Sequence, residues 1–218
     1  PGFGPMLLPG NQGYVHGNGW LLNPCYLPLF VFRCFAAHDP KGPWNRLAER
    51  SVELVRRAAP NGFVPDWIRW NGRDFVVDPD KGPMGSYDAI RTYLWAGMTD
   101  PADPLRKPLL AALSGPLRML RAQGGFAEKV DVRNGVGVGT PPPGFAAALL
   151  PYLSALGQPA LVRSQAALVP SSGAAADALT YYDRCLLLFG KGWLDRRYRI
   201  SADGRLQPAW STACSTRR

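Results

Sequence analysis

The residues of this chain best suited to acid–base chemistry fall together in Gly85-Ser86-Tyr87-Asp88-Ala89-Ile90-Arg91-Thr92-Tyr93-Leu94-Trp95. The apolar spacing of Ile90, Tyr93, Leu94 and Met98 predicts a helix from Ser86 to Met98, with the Ser86 hydroxyl able to cap its first turn. Asp88 then lies in the first turn, and Arg91 lies one turn on, close enough for the two side chains to meet. That spacing has two readings. In one, the pair is a stabilising first-turn acid with an i, i+3 ion pair. In the other, Tyr87, Asp88 and Arg91 line a cleft, where dipole and guanidinium hold the carboxylate ionised as a general base beside an aromatic platform.

Three further segments place polar groups against aromatics at element boundaries. Asn23 precedes Pro24, which pushes it out of the helical region, so Asn23-Pro24-Cys25-Tyr26 reads as a turn feeding the next helix. Taken singly, Asn23 reads as a turn residue and Tyr26 as core. Asp66-Trp67 and Tyr181-Tyr182-Asp183 repeat the pattern. With 7 Trp and 8 Tyr, many beside Gly, Pro or Asp, the aromatic distribution is unlike that of a core alone. Sugar rings have apolar C–H faces and polar edges, so aromatic platforms flanked by Asp, Asn and Arg suit an extended saccharide.

These residues need a folded scaffold, and the composition supplies one: 218 residues, 46% apolar and 19% charged, exclude a disordered polyelectrolyte. Helical periodicity is present over Leu27–Phe35, Pro43–Ala59, Pro104–Leu113, Pro116–Gln123, Gly144–Leu156 and Ala175–Phe189, and Trp20–Leu22, Phe75–Val77 and Arg197–Ile200 read as short strands. The chain is therefore mainly α, with helices in loosely paired hairpins. An α/α toroid and an orthogonal helix array both fit that string. The stretch from Gly124 to Gly144 is rich in Gly and Pro and has no period, so it is expected to be a long irregular connection within one domain.

The formal charge of +9 raises affinity for polyanions in general, but the arginines are scattered and no zinc-finger, RNP-like or basic-helix pattern appears, so nucleic acid is not an expected partner. The most apolar run, Tyr26 to Ala37, is too short to span a bilayer and contains Arg33. Cys25, Cys34, Cys185 and Cys214 form no C-x-x-C pair, and His16 and His38 stand alone, so no metal or organic cofactor is expected. Buried thiols and a disulfide are both open. The opening Pro1-Gly2-Phe3-Gly4 has no initiating Met and no leader, and reads as a start in mid-protein.

The ordered blocks Gly4-Pro5-Met6-Leu7-Leu8-Pro9-Gly10, Asn23-Pro24-Cys25-Tyr26-Leu27-Pro28, Gly62-Phe63-Val64-Pro65-Asp66-Trp67, Ser86-Tyr87-Asp88-Ala89-Ile90-Arg91, Glu128-Lys129-Val130-Asp131-Val132, Leu150-Pro151-Tyr152-Leu153 and Leu188-Phe189-Gly190-Lys191-Gly192-Trp193 resemble glycoside hydrolase family 8. Within that family the likeness is greatest to the periplasmic endo-β-1,4-glucanases (cellulases) that accompany bacterial cellulose synthesis. It extends from about residue 2 to Cys214.

The resemblance implies an (α/α)6 barrel that cleaves β-1,4-glucan internally with inversion. Residues 1–218 would be the C-terminal portion of a single such domain, the N-terminal hairpins being absent. The family's acid, a Glu in a Glu-Gly-x-x-Tyr-Gly motif, and its later Asp-containing segment do not occur here, so the chain alone is expected to be inactive. By the same likeness Asp88 matches the Asp assigned as general base in part of the family, or else orients sugar or water. Tyr87 and Arg91 stand beside it, and Asn23, Tyr26, Trp67, Tyr181 and Tyr182 become candidate substrate-binding residues. Cys25 departs from the small hydroxyl residue expected between that Pro and Tyr, and a thiol is a poorer hydrogen-bond partner. Further implications are a periplasmic or secreted location, a possible link to the cellulose synthase complex, and pairing of Cys214 with a cysteine outside this sequence. Xylan or chitosan is an alternative substrate, although the positive charge disfavours cationic chitosan. A catalytically incompetent glucan-binding remnant using Trp67, Tyr87 and Tyr181 is an alternative of another class.

Overall fold

The computed structural model describes residues 2–170 and 172–210. The chain begins with β1 (Val15–His16) and β2 (Gly19–Leu22), then a 3-10 turn (Pro24–Tyr26), α1 (Leu29–His38) and α2 (Trp44–Ala58). Next come β3 (Ile68–Trp70), β4 (Phe75–Val76), β5 (Met84–Gly85), α3 (Ala89–Met98), α4 (Arg106–Ala112) and α5 (Gly115–Gln123). The remainder is β6 (Lys129–Asp131), β7 (Val136–Val138), α6 (Pro143–Ala155), α7 (Pro159–Ala167), α8 (Ala174–Asp177), α9 (Tyr181–Leu194), β8 (Tyr198–Ile200) and β9 (Leu206–Pro208). The fold is mainly helical, as the periodicity predicts. No helix among the described residues is long and apolar enough to cross a membrane.

Helix α6 is the centre. Its residues from Gly144 to Leu153 are buried all round, which the apolar string Phe145-Ala-Ala-Ala-Leu-Leu-Pro-Tyr-Leu permits and a one-sided pattern would not. It packs against α3, α7 and α9; α3 continues to α4, α4 to α2, and α2 to α1. Two glycines make the central contacts possible. A Cβ on Gly97 of α3 would stand 2.2 Å from the Tyr152 backbone nitrogen. One on Gly190 of α9 would stand 1.9 Å from the Ala147 carbonyl oxygen, whose usual helical donor is missing because residue 151 is proline. The buried core runs without a break from Phe3 to Ile200.

The sheets are small and antiparallel. Strands β1 to β4 lie side by side in chain order, with Trp20 opposite Trp70 and Leu22 opposite Ile68. The second sheet, β5-β6-β7, corrects the expectation of an irregular connection over Gly124–Gly144: Val130 pairs with Gly137, and Val130 and Val132 sink with Phe63, Met119 and Ala127 into a second small core. The helix expected over Ala175–Phe189 is also two elements. Thr180 breaks it, adopting an extended conformation and accepting the Asp183 N–H at its hydroxyl, which restarts the chain as α9.

The two ends of the helix series, α1 and α9, face a shared cavity of about 660 Å³ whose floor includes Trp95 and Met98 of α3. Phe30, Val31 and Phe35 of α1 and Phe189 of α9 line it, with Tyr198 and Leu206 from the last hairpin. It is almost wholly apolar.

Candidate active site

The start of α3 is held by a residue distant in sequence. The Asp66 carboxylate oxygen Oδ1 accepts the backbone N–H groups of Ser86 at 2.8 Å, Asp88 at 3.1 Å and Ala89 at 2.7 Å. Asp66 therefore does the capping that the sequence assigns to Ser86. The Ser86 hydroxyl points elsewhere and donates to the Glu128 carbonyl at 2.7 Å. Asp88 becomes the N-cap residue rather than a first-turn acid, and its side chain makes no cap bond, which frees it for other work. Burial raises the Asp66 carboxyl above its usual range, although the three N–H donors act against that rise.

Asp88 and Arg91 form the expected i, i+3 ion pair, through Arg91 Nη2 and Asp88 Oδ1, with side chains 24% and 28% exposed. The same Oδ1 receives the Cys25 thiol, Sγ at 3.8 Å. No hydrogen bond from a described residue reaches Oδ2. The Arg91 guanidinium lies 5.8 Å from the Tyr26 ring centre, a cation–π contact. Tyr26 meets Trp67 edge-on at 6.1 Å, and Trp67 stacks on Tyr14 at 6.1 Å with the rings nearly parallel. On the other side the half-exposed Tyr87 packs against Phe145 at 5.2 Å and Tyr182 at 5.8 Å. The Tyr182 hydroxyl donates to the Tyr87 carbonyl, and the Tyr87 hydroxyl to Glu128 Oε1 at 3.4 Å. Burial, then neighbouring acids, push both the Tyr26 and the Tyr87 phenols above their ordinary values, so both stay neutral donors at neutral pH.

The structure thus gathers Asp88, Arg91, Tyr26, Tyr87, Tyr182 and Trp67 into one partly exposed strip. It treats two other residues differently. Asn23 is 1% exposed, and its Oδ1 accepts the Cys25 N–H at 3.0 Å, so it closes the 3-10 turn from inside. Tyr181 is 85% exposed and next to Tyr182 in sequence. The 660 Å³ cavity is lined by Cys25 and Tyr26 and not by Tyr87, Asp88 or Arg91, which lie on the strip beside it. Tyr14, Glu128 and the capping role of Asp66 carry no local signal, because each acts on a partner far along the chain. Cys25, Cys34 and Cys185 are free thiols, and Cys214 lies outside the described residues.

Residues 2–196 match the family model described as glycosyl hydrolases family 8. A curated relative from Xanthomonas axonopodis pv. citri named endoglucanase is 58% identical over 99% of this chain and 56% of its own length. An endoglucanase from Salmonella typhi is 40% identical over 100% of this chain and 58% of its own. Among solved structures, the endo-1,4-D-glucanase from Vibrio fischeri is similar with a TM-score of 0.83 and 33% identity, covering 96% of this chain and 61% of that one. The chain therefore spans little more than half the length of these relatives. The fold corresponds to an incomplete (α/α)6 toroid.

Proposed function

The chain belongs to family 8 of the glycosyl hydrolases, and from that premise we propose that it carries the base side of an endo-acting, inverting β-1,4-glucanase. The single observation that supports this most is the Asp88 carboxylate. It is freed from capping duty by Asp66, tied at Oδ1 by Arg91, and accepts no hydrogen bond from a described residue at Oδ2.

In the proposed reaction Asp88 Oδ2 takes a proton from a water molecule as that oxygen forms a bond to the anomeric carbon. The glycosidic bond breaks on the opposite face, and its oxygen takes a proton from a carboxylic acid. That acid belongs to the part of the family domain that this chain does not span. Inversion requires the two carboxyl groups to stand roughly 6.5–9.5 Å apart, leaving room for the water. Arg91 holds the Asp88 carboxylate in place through the ion pair at Oδ1. Tyr87, Tyr26 and Trp67 offer faces for glucose rings, Tyr182 holds Tyr87 by its carbonyl, and Tyr181 and Asn23 extend or support the same surface. On this reading residues 1–218 are the C-terminal portion of one domain and inactive alone. The protein acts in the periplasm or outside the cell on cellulose, in association with its synthesis.

Viscosity loss of carboxymethylcellulose tests the proposal. The isolated chain is expected to leave viscosity unchanged, and the full-length protein to lower it. In the latter, Asp88→Asn is expected to cut kcat by about 10²–10⁴, the range for loss of a general base. Turnover that survives Asp88→Asn sinks the assignment, and cello-oligosaccharide binding without any turnover by the full-length protein would favour a glucan-binding remnant.

A further inference from the structure

Cys25 touches the candidate base through a thiol, yet nothing in its residue type suggests a role. Its backbone is fixed from two sides. The N–H is bonded to Asn23 Oδ1 at 3.0 Å, and the carbonyl accepts the indole N–H of Trp95 at 3.1 Å. Pro24 before it fixes φ at the start of the turn. Trp95 and Asp88 lie on the same side of α3, two turns apart, so Cys25 grips that helix at two points: its carbonyl at Trp95 and its sulfur at Asp88 Oδ1, 3.8 Å away. Cys25 is 4% exposed. Burial raises the thiol well above its ordinary range, so it keeps its proton and acts as a neutral donor.

We propose that Cys25 is a positioning residue for Asp88: with Arg91 it engages Oδ1, fixes the carboxylate plane, and leaves Oδ2 as the oxygen that takes the proton from water. This rests on the reading of Asp88 as general base. An S–H donor is weaker than N–H or O–H. The Arg91 ion pair alone leaves the carboxylate free to rotate about that single contact. The second donor, anchored to the helix through Trp95, removes that freedom.

Three variants of the full-length protein test this. Cys25→Ala is expected to lower kcat about five- to tenfold with KM little changed, because the lost contact bears on the reacting geometry and not on sugar binding. It is also expected to move the acid limb of the kcat/KM profile to higher pH, since a hydrogen bond to the ionised carboxylate favours that form and its removal disfavours it. Cys25→Ser restores a donor and is expected to return the limb toward its original place. A residue that merely fills space would lower thermal stability and leave the limb where it was. A readout independent of turnover is the infrared S–H stretching band of Cys25, identified by its absence in Cys25→Ser. It is expected below the free-thiol position, and to rise in Asp88→Asn. If Asp88→Asn retains turnover, the general-base reading fails, and the positioning role with it. If Asp88→Asn is dead while Cys25→Ala keeps its kcat and acid limb, or the S–H band already sits at the free-thiol position, the role of Cys25 alone is overturned.

Discussion

At the level of single residues, the strip around Asp88 is built from side chains that each have one apolar face and one fixed polar end. Tyr87 is the clearest case. Phe145 and Tyr182 back its ring, Glu128 accepts its hydroxyl, and nearly half of its surface remains exposed. Tyr87→Ala in the full-length protein is expected to weaken cello-oligosaccharide binding on the order of tenfold, or about 1.4 kcal/mol, measured by calorimetry with an inactive Asp88→Asn background. Unchanged affinity would remove Tyr87 from the binding surface. The Asp88–Arg91 pair was legible from spacing, because i and i+3 on one helix are neighbours whatever the fold. The cap was not. Asp66 lies 20 residues before Ser86, and no local rule connects a carboxylate in one loop to N–H groups that a different turn brings beside it. The buried position of Asn23 was hidden for the same reason, since its Asn-Pro turn looks alike inside and outside a protein.

At the level of elements, the contact of α3 with α6 sets where the Asp88 carboxylate stands relative to Phe145 and Tyr87. That contact depends on Gly97, where an added methyl would meet the Tyr152 nitrogen at 2.2 Å and the Pro151 carbonyl carbon at 2.3 Å. Both are backbone atoms in a helix buried all round and cannot step aside. Gly97→Ala is therefore expected to cost about 3 kcal/mol despite the better helix propensity of alanine, visible as a lowered midpoint in denaturant unfolding. An unchanged midpoint would mean that the two helices can separate freely. Most helices were legible because an amphipathic period survives any arrangement of neighbours. The hairpin β6–β7 is faint in the sequence, although its signs are there: Val130 and Val132 alternate with Asp131, and Asn134-Gly135 is a turn pair. Surrounding glycines and prolines drown a signal only three residues long on each side. The break at Thr180 is hidden because Ala174–Asp177 and Tyr181–Leu194 join smoothly in apolar period, and only the Thr180 cap, accepting the Asp183 N–H, separates them.

At the level of the whole molecule, α1 and α9 present apolar side chains that no described element covers. Phe35 is 46% and Leu206 62% exposed around a cavity in which an extended sugar would find almost no polar partners, and Leu188, further along α9, is 70% exposed. Exposed apolar area of this kind favours association. The 218-residue chain by itself is expected to form dimers or larger species as its concentration rises, seen by sedimentation velocity, and Phe35→Lys combined with Leu188→Lys is expected to keep it monomeric. A chain that stays monomeric without these changes would show that the face is tolerated in water. The toroidal class was legible as paired helices, but its incompleteness was not visible in the periodicity, which reports each helix's own stripe and not the number of neighbours around it.

The bonds from Asp66 to the first amides of α3 have a practical outcome for anyone altering the Gly62–Trp67 connection. If that connection slackens, the opening turn of α3 frays, and the carboxylate at its tip drifts while its own chemistry stays intact. Such a lesion would imitate removal of the base in any rate assay. Deuterium uptake at the amides of Asp88 and Ala89 separates the two faults: fast uptake marks a loosened mount, and slow uptake marks a missing proton acceptor.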